Sequence, residues 1–234
     1  MSKRISTLSS GALVKLNENG VAKKFIFLGY NHYGRGEVIL LRKDATGHQA
    51  YNGGSNGYNP YDGSQIDAFC DETFPLRLDP AIQGALVTVP VPTIIGHVNG
   101  TYQSTVVNLE RKGFILSCPE VGLTGTTTDG KAFPYFSSNA NRIAYFDGTS
   151  TAVNWWLRSP YSGGISYAYL VYSDGTQNGS SVYNAYNCPR PALALSSQIL
   201  VSNGTDSEGC YTVDDAAVAG EHYQKVNGVW RRMM

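Results

Sequence analysis

Charge is scarce in this chain. Asp, Glu, Lys and Arg make up 15% of 234 residues, and 18 basic side chains are matched by 18 acidic ones. A thinly charged, balanced surface creates no global field to attract nucleic acid, an anionic membrane or a charged substrate. Long apolar runs are missing as well. With no stretch of about 18 apolar residues, no membrane insertion is expected. Histidines occur only at His32, His48, His97 and His222, without the His-Glu-x-x-His spacing of a zinc protease. No phosphate-binding loop is present, so no catalytic residue, cofactor or metal site is expected. The cysteines, Cys70, Cys118, Cys188 and Cys210, form no Cys-x-x-Cys pair. Free, buried thiols are the expectation, with a Cys188–Cys210 bridge as the alternative in an oxidising setting. The first residues, MSKRISTLSSG, carry charge but no apolar core, which predicts cytoplasmic synthesis without a secretory signal.

Glycine, with 26 residues, and aromatics, at 12%, are plentiful. Repeated Asn-Gly and Asp-Gly pairs point to a turn-rich, β-rich chain. The length suits one large domain, or one domain with an appendage. Two apolar-rich runs, 12–16 and 21–28, flank Asn19-Gly20 and predict a hairpin. Val38 to Leu41 is too short an apolar run for a helix and reads as a buried strand. The loop from Thr46 to Pro60, dense in Gly, Asn and Tyr, fits turn chemistry and a binding surface equally well. Ser64 through Asp67 resembles a capping box, predicting a helix over 65–71 with Ile66, Phe69 and Cys70 on one face. Asp79-Pro80 predicts a second helix start. Val89-Pro90 and Val91-Pro92 are expected to break regular structure. Residues 96–103 read as turns, and Phe114 to Leu116 as a short core strand. Arg142 and Arg158, rare charges among apolar neighbours, are expected to pin loop carbonyls or a carboxylate.

The chain is organised around residues 154–195. A stiff entry, Asn154 to Pro160, and a stiff exit, Cys188 to Leu193, enclose a segment holding six of the sixteen tyrosines. The rest of 161–187 is mostly Ser, Gly and Asn. Tyrosine offers large amphipathic contact area at low entropic cost, and Ser, Gly and Asn offer adaptable hydrogen bonding, as in antibody paratopes. The candidate ligand-binding residues are Tyr161, Ser162, Ser166, Tyr167, Tyr169, Tyr172, Gln177, Asn178, Ser180, Tyr183, Asn184, Tyr186 and Asn187. Alternation predicts Tyr167 and Tyr169 exposed and Tyr172 on the opposite face, unless a turn or bulge before Ser173-Asp174-Gly175 shifts the register. The run 177–187 is expected to return antiparallel and share one face with the first. A tyrosine-rich surface β-meander is the plainer reading.

The motifs Trp155-Trp156-Leu157-Arg158-Ser159-Pro160, Ser173-Asp174-Gly175 and Arg190-Pro191-Ala192-Leu193 resemble a C-type-lectin-like domain family of phages and prophages. Tyr58 to Phe69 and Ser138 to Tyr145 resemble it too, so the likeness covers residues 1–197. It implies an α+β, C-type-lectin-like fold of turn-rich β-sheets with two short helices. The ligand-binding domain would span 1–197, with 161–187 as its variable surface and 198–234 as a C-terminal β appendage. Some members are variable proteins of diversity-generating retroelements, in which adenine-directed mutagenesis rewrites Asn-type codons into Tyr, Ser, Asp and Gly. The implied partners are a protein or glycan on a host cell surface, and a homo-oligomer or another virion or tail protein. The implied location is the virion tail or surface. A carbohydrate-binding lectin, calcium-dependent or not, and an undiversified prophage structural protein are the alternatives. Asp174 is the single charge in 161–187, few oxygen ligands for calcium. The segment also lacks the Lys and Arg that a nucleic-acid surface interleaves with its aromatics.

Overall fold

The computed structural model of the chain describes residues 2–54, 58–123, 127–218, 221–226 and 229–233, with side chains through residue 214. Residues 55–57 of the Thr46–Pro60 loop, 124–126 of the polar stretch 124–131, and the Asn227-Gly228 pair, a turn signal in the sequence, lie outside the described residues. So do the side chains of Arg231 and Arg232.

Four strands come first: β1 (Ser2–Arg4), β2 (Leu13–Glu18), β3 (Val21–Tyr30) and β4 (Glu37–Arg42). Helices α1 (Gln65–Ala68) and α2 (Pro80–Gly84) precede β5 (Val89–Val98), β6 (Thr101–Arg111) and β7 (Gly113–Phe114). Helix α3 (Asn139–Arg142) leads to β8 (Ala144–Tyr145), β9 (Ala152–Val153), β10 (Trp155–Pro160), β11 (Tyr167–Val171) and β12 (Gln177–Ser181). Last come β13 (Ala192–Ser196), β14 (Leu200–Ser202), β15 (Cys210–Val218), β16 (Glu221–Val226) and β17 (Val229–Met233).

The architecture is mainly β, with 42% strand and 12% helix. This corrects the expected α+β, C-type-lectin-like fold with two short helices. The helix expected over 65–71 is present, running from α1 through a widened turn to Thr73, and the second is short. Ser64 Oγ does accept from Asp67 N at 3.2 Å, while Asp67 returns its carboxylate to Gly63 N. The helix then widens over Phe69–Thr73 and ends before Pro75. Helix α2 lasts five residues, and Asp79 makes no capping bond to it.

Sequence that was expected to be irregular is strand instead. Val89-Pro90-Val91-Pro92 opens β5, which forms a long hairpin with β6. A proline is tolerated in a strand where its missing N–H points away from the ladder. Pro92 meets that condition, because its carbonyl accepts from Arg158 Nε at 2.9 Å on the side away from β6.

The large sheet runs β1-β14-β15-β2-β3-β4-β13-β7, with β16 and β17 continuing from β15. Both of its faces are covered, which explains the continuous apolar run in β4. Ile39 and Leu41 enter one core cluster and Val38 and Leu40 the other, as a period of two dictates. Ala192 and Ala194 divide from Leu193 and Leu195 in the same way along β13. Residues 198–234 contribute to this sheet: β14 pairs with β1, and β15 runs parallel to β2. The small sheet β10-β11-β12 stands on the first cluster, which contains Trp155 and Trp156.

Candidate binding surface

Beneath the candidate segment lies a frame of buried hydrogen bonds. Every residue of β10 is buried. Trp155 Nε1 donates to Arg142 O at 2.9 Å, and the Arg190 guanidinium lies 4.8 Å from the Trp155 ring centroid. Trp156 Nε1 donates to Gln49 O at 2.9 Å. Arg158 forms a bidentate pair with Glu120, both contacts at 2.6 Å, and also donates to the carbonyls of Pro92, Ile115 and Asp129. Neither partner is exposed. Glu120 additionally accepts from Tyr33 Oη at 2.8 Å and Ser117 N at 3.1 Å. A buried ion pair survives desolvation when its remaining lone pairs and protons are satisfied in this way.

Next along β10, Ser159 Oγ donates to both Asp129 oxygens, at 3.0 and 2.9 Å, and accepts from Cys118 N at 2.9 Å. Burial pushes the Asp129 carboxyl above its ordinary range, although Arg158, Thr127 and Ser159 pull the other way.

The motifs that carry the family resemblance meet in this frame. Arg142 Nε, from the 138–145 motif, donates to Gly175 O at 3.1 Å. At Gly175, φ is +83°, and a Cβ would stand 2.1 Å from Asn139 O, so only glycine fits.

Asn59 is the pin between frame and surface. Fully buried, it donates from Nδ2 to the carbonyls of Tyr161 (3.0 Å), Gly164 (3.2 Å) and Tyr167 (2.7 Å). Its Oδ1 faces His97 N at 3.0 Å and His97 Nδ1 at 3.2 Å. One amide thus ties the 161–167 loop to the β5–β6 hairpin. On the other side, Gln49 N donates to Asn187 O and Asn52 N to Val182 O.

The segment itself is a β11–β12 hairpin, with Tyr167 opposite Ser181 and Val171 opposite Gln177. Tyr161 (37% exposed), Tyr167 (47%), Tyr183 (49%) and Tyr186 (83%) reach solvent, as do Ser162 and Asn178. Ser166, Tyr172, Gln177, Ser180 and Asn184 are half-buried.

Two candidates are corrected. Tyr169, expected to be exposed, is buried, with the Tyr161 ring packed edge-on at 5.2 Å; burial pushes its phenol up to about 12. Asn187 is buried as well, donating to Ser180 Oγ at 3.0 Å.

The expected single face is also corrected. Register places Tyr167, Tyr169 and Gln177 on one face, and Ser180 and Asn178, opposite Ala168 and Leu170, on the other. One patch joins Tyr161, Tyr167 and Tyr169. The second gathers around Ser180, which accepts from Asn184 and Asn187. Gly163 permits the first patch: a Cβ there would lie 2.8 Å from Tyr161 Cε1.

Sequence reading missed Asn59, His97, Tyr102 and Glu120. The Tyr102 ring lies tilted against His97, ring centroids 5.1 Å apart, at the hairpin tip. Asn59 sat inside the Tyr58–Phe69 motif, and its position between Tyr58 and Pro60 was the available signal. Cys188 and His48 also meet, Sγ to Nδ1 at 3.4 Å. The same Nδ1 lies 2.7 Å from Tyr186 O, so it carries the proton and cannot take one from sulfur. Burial holds the Cys188 thiol up at about 11, far from a reactive thiolate.

The fold and this site define a mainly β chain that presents tyrosines from a hydrogen-bonded frame. The chain belongs to a family described as a domain of unknown function, DUF6273, whose model matches residues 35–197. That range runs from just before β4 to just after β13 and includes the whole candidate segment. No curated protein and no solved structure matches the chain.

Proposed function

We propose that this chain is a phage-associated binding protein whose 161–187 surface engages a protein or glycan on a host cell. The observation that carries this reading is the exposure of Tyr161, Tyr167, Tyr183 and Tyr186 above a buried frame. An exposed tyrosine joins a large apolar ring to a polar hydroxyl, which suits it to contact with a partner. Tyrosines held on a fixed backbone lose little entropy on binding, and a few desolvated aromatics supply most of the affinity. The wide neutral surface favours an uncharged or mixed target over nucleic acid. The Ser/Asn/Tyr composition and the resemblance of the surrounding motifs to retroelement variable proteins extend the reading to diversification of 161–187.

Two experiments test it. Fluorescently labelled chain is titrated onto intact bacterial cells and a glycan array, alongside a variant with Tyr161, Tyr167, Tyr183 and Tyr186 replaced by Ser. Saturable binding that the variant loses while keeping its melting temperature is expected; equal binding by both removes this surface as the site. For diversification, the neighbouring DNA should hold a reverse transcriptase gene and an imperfect repeat of the codons for 161–187. Their absence leaves a binding protein with a constant surface.

A further inference from the structure

We propose that two copies of this chain pair edge to edge through β6, in antiparallel register about Asn108. Strand β6 has β5 as its single strand partner among the described residues. Opposite Pro90 and Pro92 lie Glu110 and Asn108. Neither proline can donate to a ladder, and the Pro92 carbonyl is turned to Arg158. These pairs therefore occupy positions whose main-chain groups point away from the hairpin, and alternation adds Val106. The N–H and C=O of Val106 and Asn108 face solvent along an open edge.

Natural edges are guarded by charge, proline, a bulge or short length. Between the pairs Ile94–Val106 and Gly96–Gln103, β6 carries one residue more than β5, a bulge that bends the edge near Ser104 and Thr105. Beyond it, Val106 to Leu109 pairs with β5 in unbroken register and is exposed or half-buried, and free of charge and proline.

This short edge is complementary to itself. A two-fold axis at Asn108 sets Asn108 against Asn108 of the second copy, Val107 against Leu109, and Val106 against Glu110. The antiparallel pattern then supplies about six main-chain hydrogen bonds, two of them to Glu110 carbonyls that also accept from Arg111 Nη1. Half-buried Val107 and Leu109 gain apolar neighbours across the seam, and Asn108 meets an amide. Glu110, which Arg35 meets at 3.7 Å, and Arg111, held by Asp62 and Asp67, face Val106 and Thr105 across the seam, so the strands set no like charges against each other. A foreign strand would need its own apolar and amide pattern to match, whereas a second copy has it by symmetry. This pairing stands apart from the 161–187 surface and does not depend on it.

Light scattering across a concentration series tests the proposal on the full chain. The expected mass is twice 25.3 kDa. Asn108→Lys and Asn108→Asp should each be monomeric, because the axis brings like charges together, and an equimolar mixture should recover the dimer. Asn108→Cys should form an intermolecular disulfide under mild oxidation. A hydrogen-bonded antiparallel pair holds its Cα atoms about 5.5 Å apart, within the disulfide range of about 4.4–6.8 Å. The native cysteines, all buried, do not compete. A wild-type chain that stays monomeric overturns the proposal. So does a dimer unmoved by Asn108→Lys and not cross-linked through Asn108→Cys.

Discussion

Replacing Asn59 separates the frame from the surface more sharply than any other single change. Its Nδ2 serves three carbonyls, and its Oδ1 faces the N–H and ring nitrogen of His97. Asn59→Ala removes all five contacts. The carbonyls of Tyr161, Gly164 and Tyr167 belong to a partly exposed loop and can rehydrate, so their loss is modest. The His97 N–H is buried and cannot. At about 0.5–1.5 kcal/mol per net hydrogen bond, and about 1–3 for a buried group left unpaired, the total is about 2–4 kcal/mol.

Asn59→Asp keeps the shape but replaces the donating NH₂ with a second acceptor facing three carbonyl oxygens. It should cost more than the alanine change, the reverse of what side-chain volume predicts. Urea unfolding supplies the free energies. Hydrogen exchange of Tyr161 N–H and Tyr167 N–H, bonded to Tyr167 O and Gly164 O, should accelerate in both variants before global unfolding. A loss below about 1 kcal/mol for Asn59→Ala, or an Asp variant as stable as the Ala variant, would refute the clamp.

Other changes test other parts. Tyr161, Tyr167 and Tyr183 replaced together by Ser should cost less than about 1.5 kcal/mol, while Trp156→Ala should cost about 3–5; thermal denaturation that inverts this order contradicts the division into surface and frame. Glu120→Gln removes the carboxylate that pairs bidentately with buried Arg158, and urea unfolding should show a loss of about 3–5 kcal/mol. The Asp129 carboxyl is raised above its unfolded value of 3.8, so its contribution to stability is fully present below 3.8 and is lost as pH rises through the folded value. The stability of wild type relative to Asp129→Asn should therefore fall with rising pH through that window, and a rise would be the wrong sign. A chain ending at Ser197 loses β14 and β15, and with them Ile199, Val201 and Val213, all buried. At about 1.5–3 kcal/mol for each, it should show no sharp thermal transition, and retention of one would mean that these strands are dispensable.

Local signals in the sequence were readable where neighbours alone decide the outcome. Asn19-Gly20 closes β2 on β3, and the run at Val38 is a strand buried on both faces. The Ser64 cap is real. What failed needed partners distant in sequence. Val89-Pro90-Val91-Pro92 is strand because Arg158, 66 residues from Pro92, takes the carbonyl facing away from β6. Tyr169 followed the predicted alternation, but Tyr161 covers it after the intervening loop folds back. The expected fold class rested on the motifs' resemblance to a lectin-like family, whereas the strand content comes from pairings between distant segments, such as β13 with β4 and β15 with β2. Asn59 was marked only by its place between Tyr58 and Pro60, since its three acceptors lie more than 100 residues away.

The bonds from Gln49, Asn52 and Asn59 to the candidate segment end on main-chain atoms of Asn187, Val182, Tyr161, Gly164 and Tyr167. Every amino acid possesses those atoms, so the grip is blind to the side chains it presents. Tyr161 and Tyr167, whose ring centroids lie 6.3 Å apart, are coupled, whereas substitutions at Ser162, Asn178, Tyr183 and Tyr186 should then combine almost independently. The number of distinct surfaces one backbone can carry grows as a product over these positions. Gly175, where a Cβ would meet the Asn139 carbonyl, marks a letter of the segment that is not free to change, and Gly163 is constrained only while Tyr161 stays beside it.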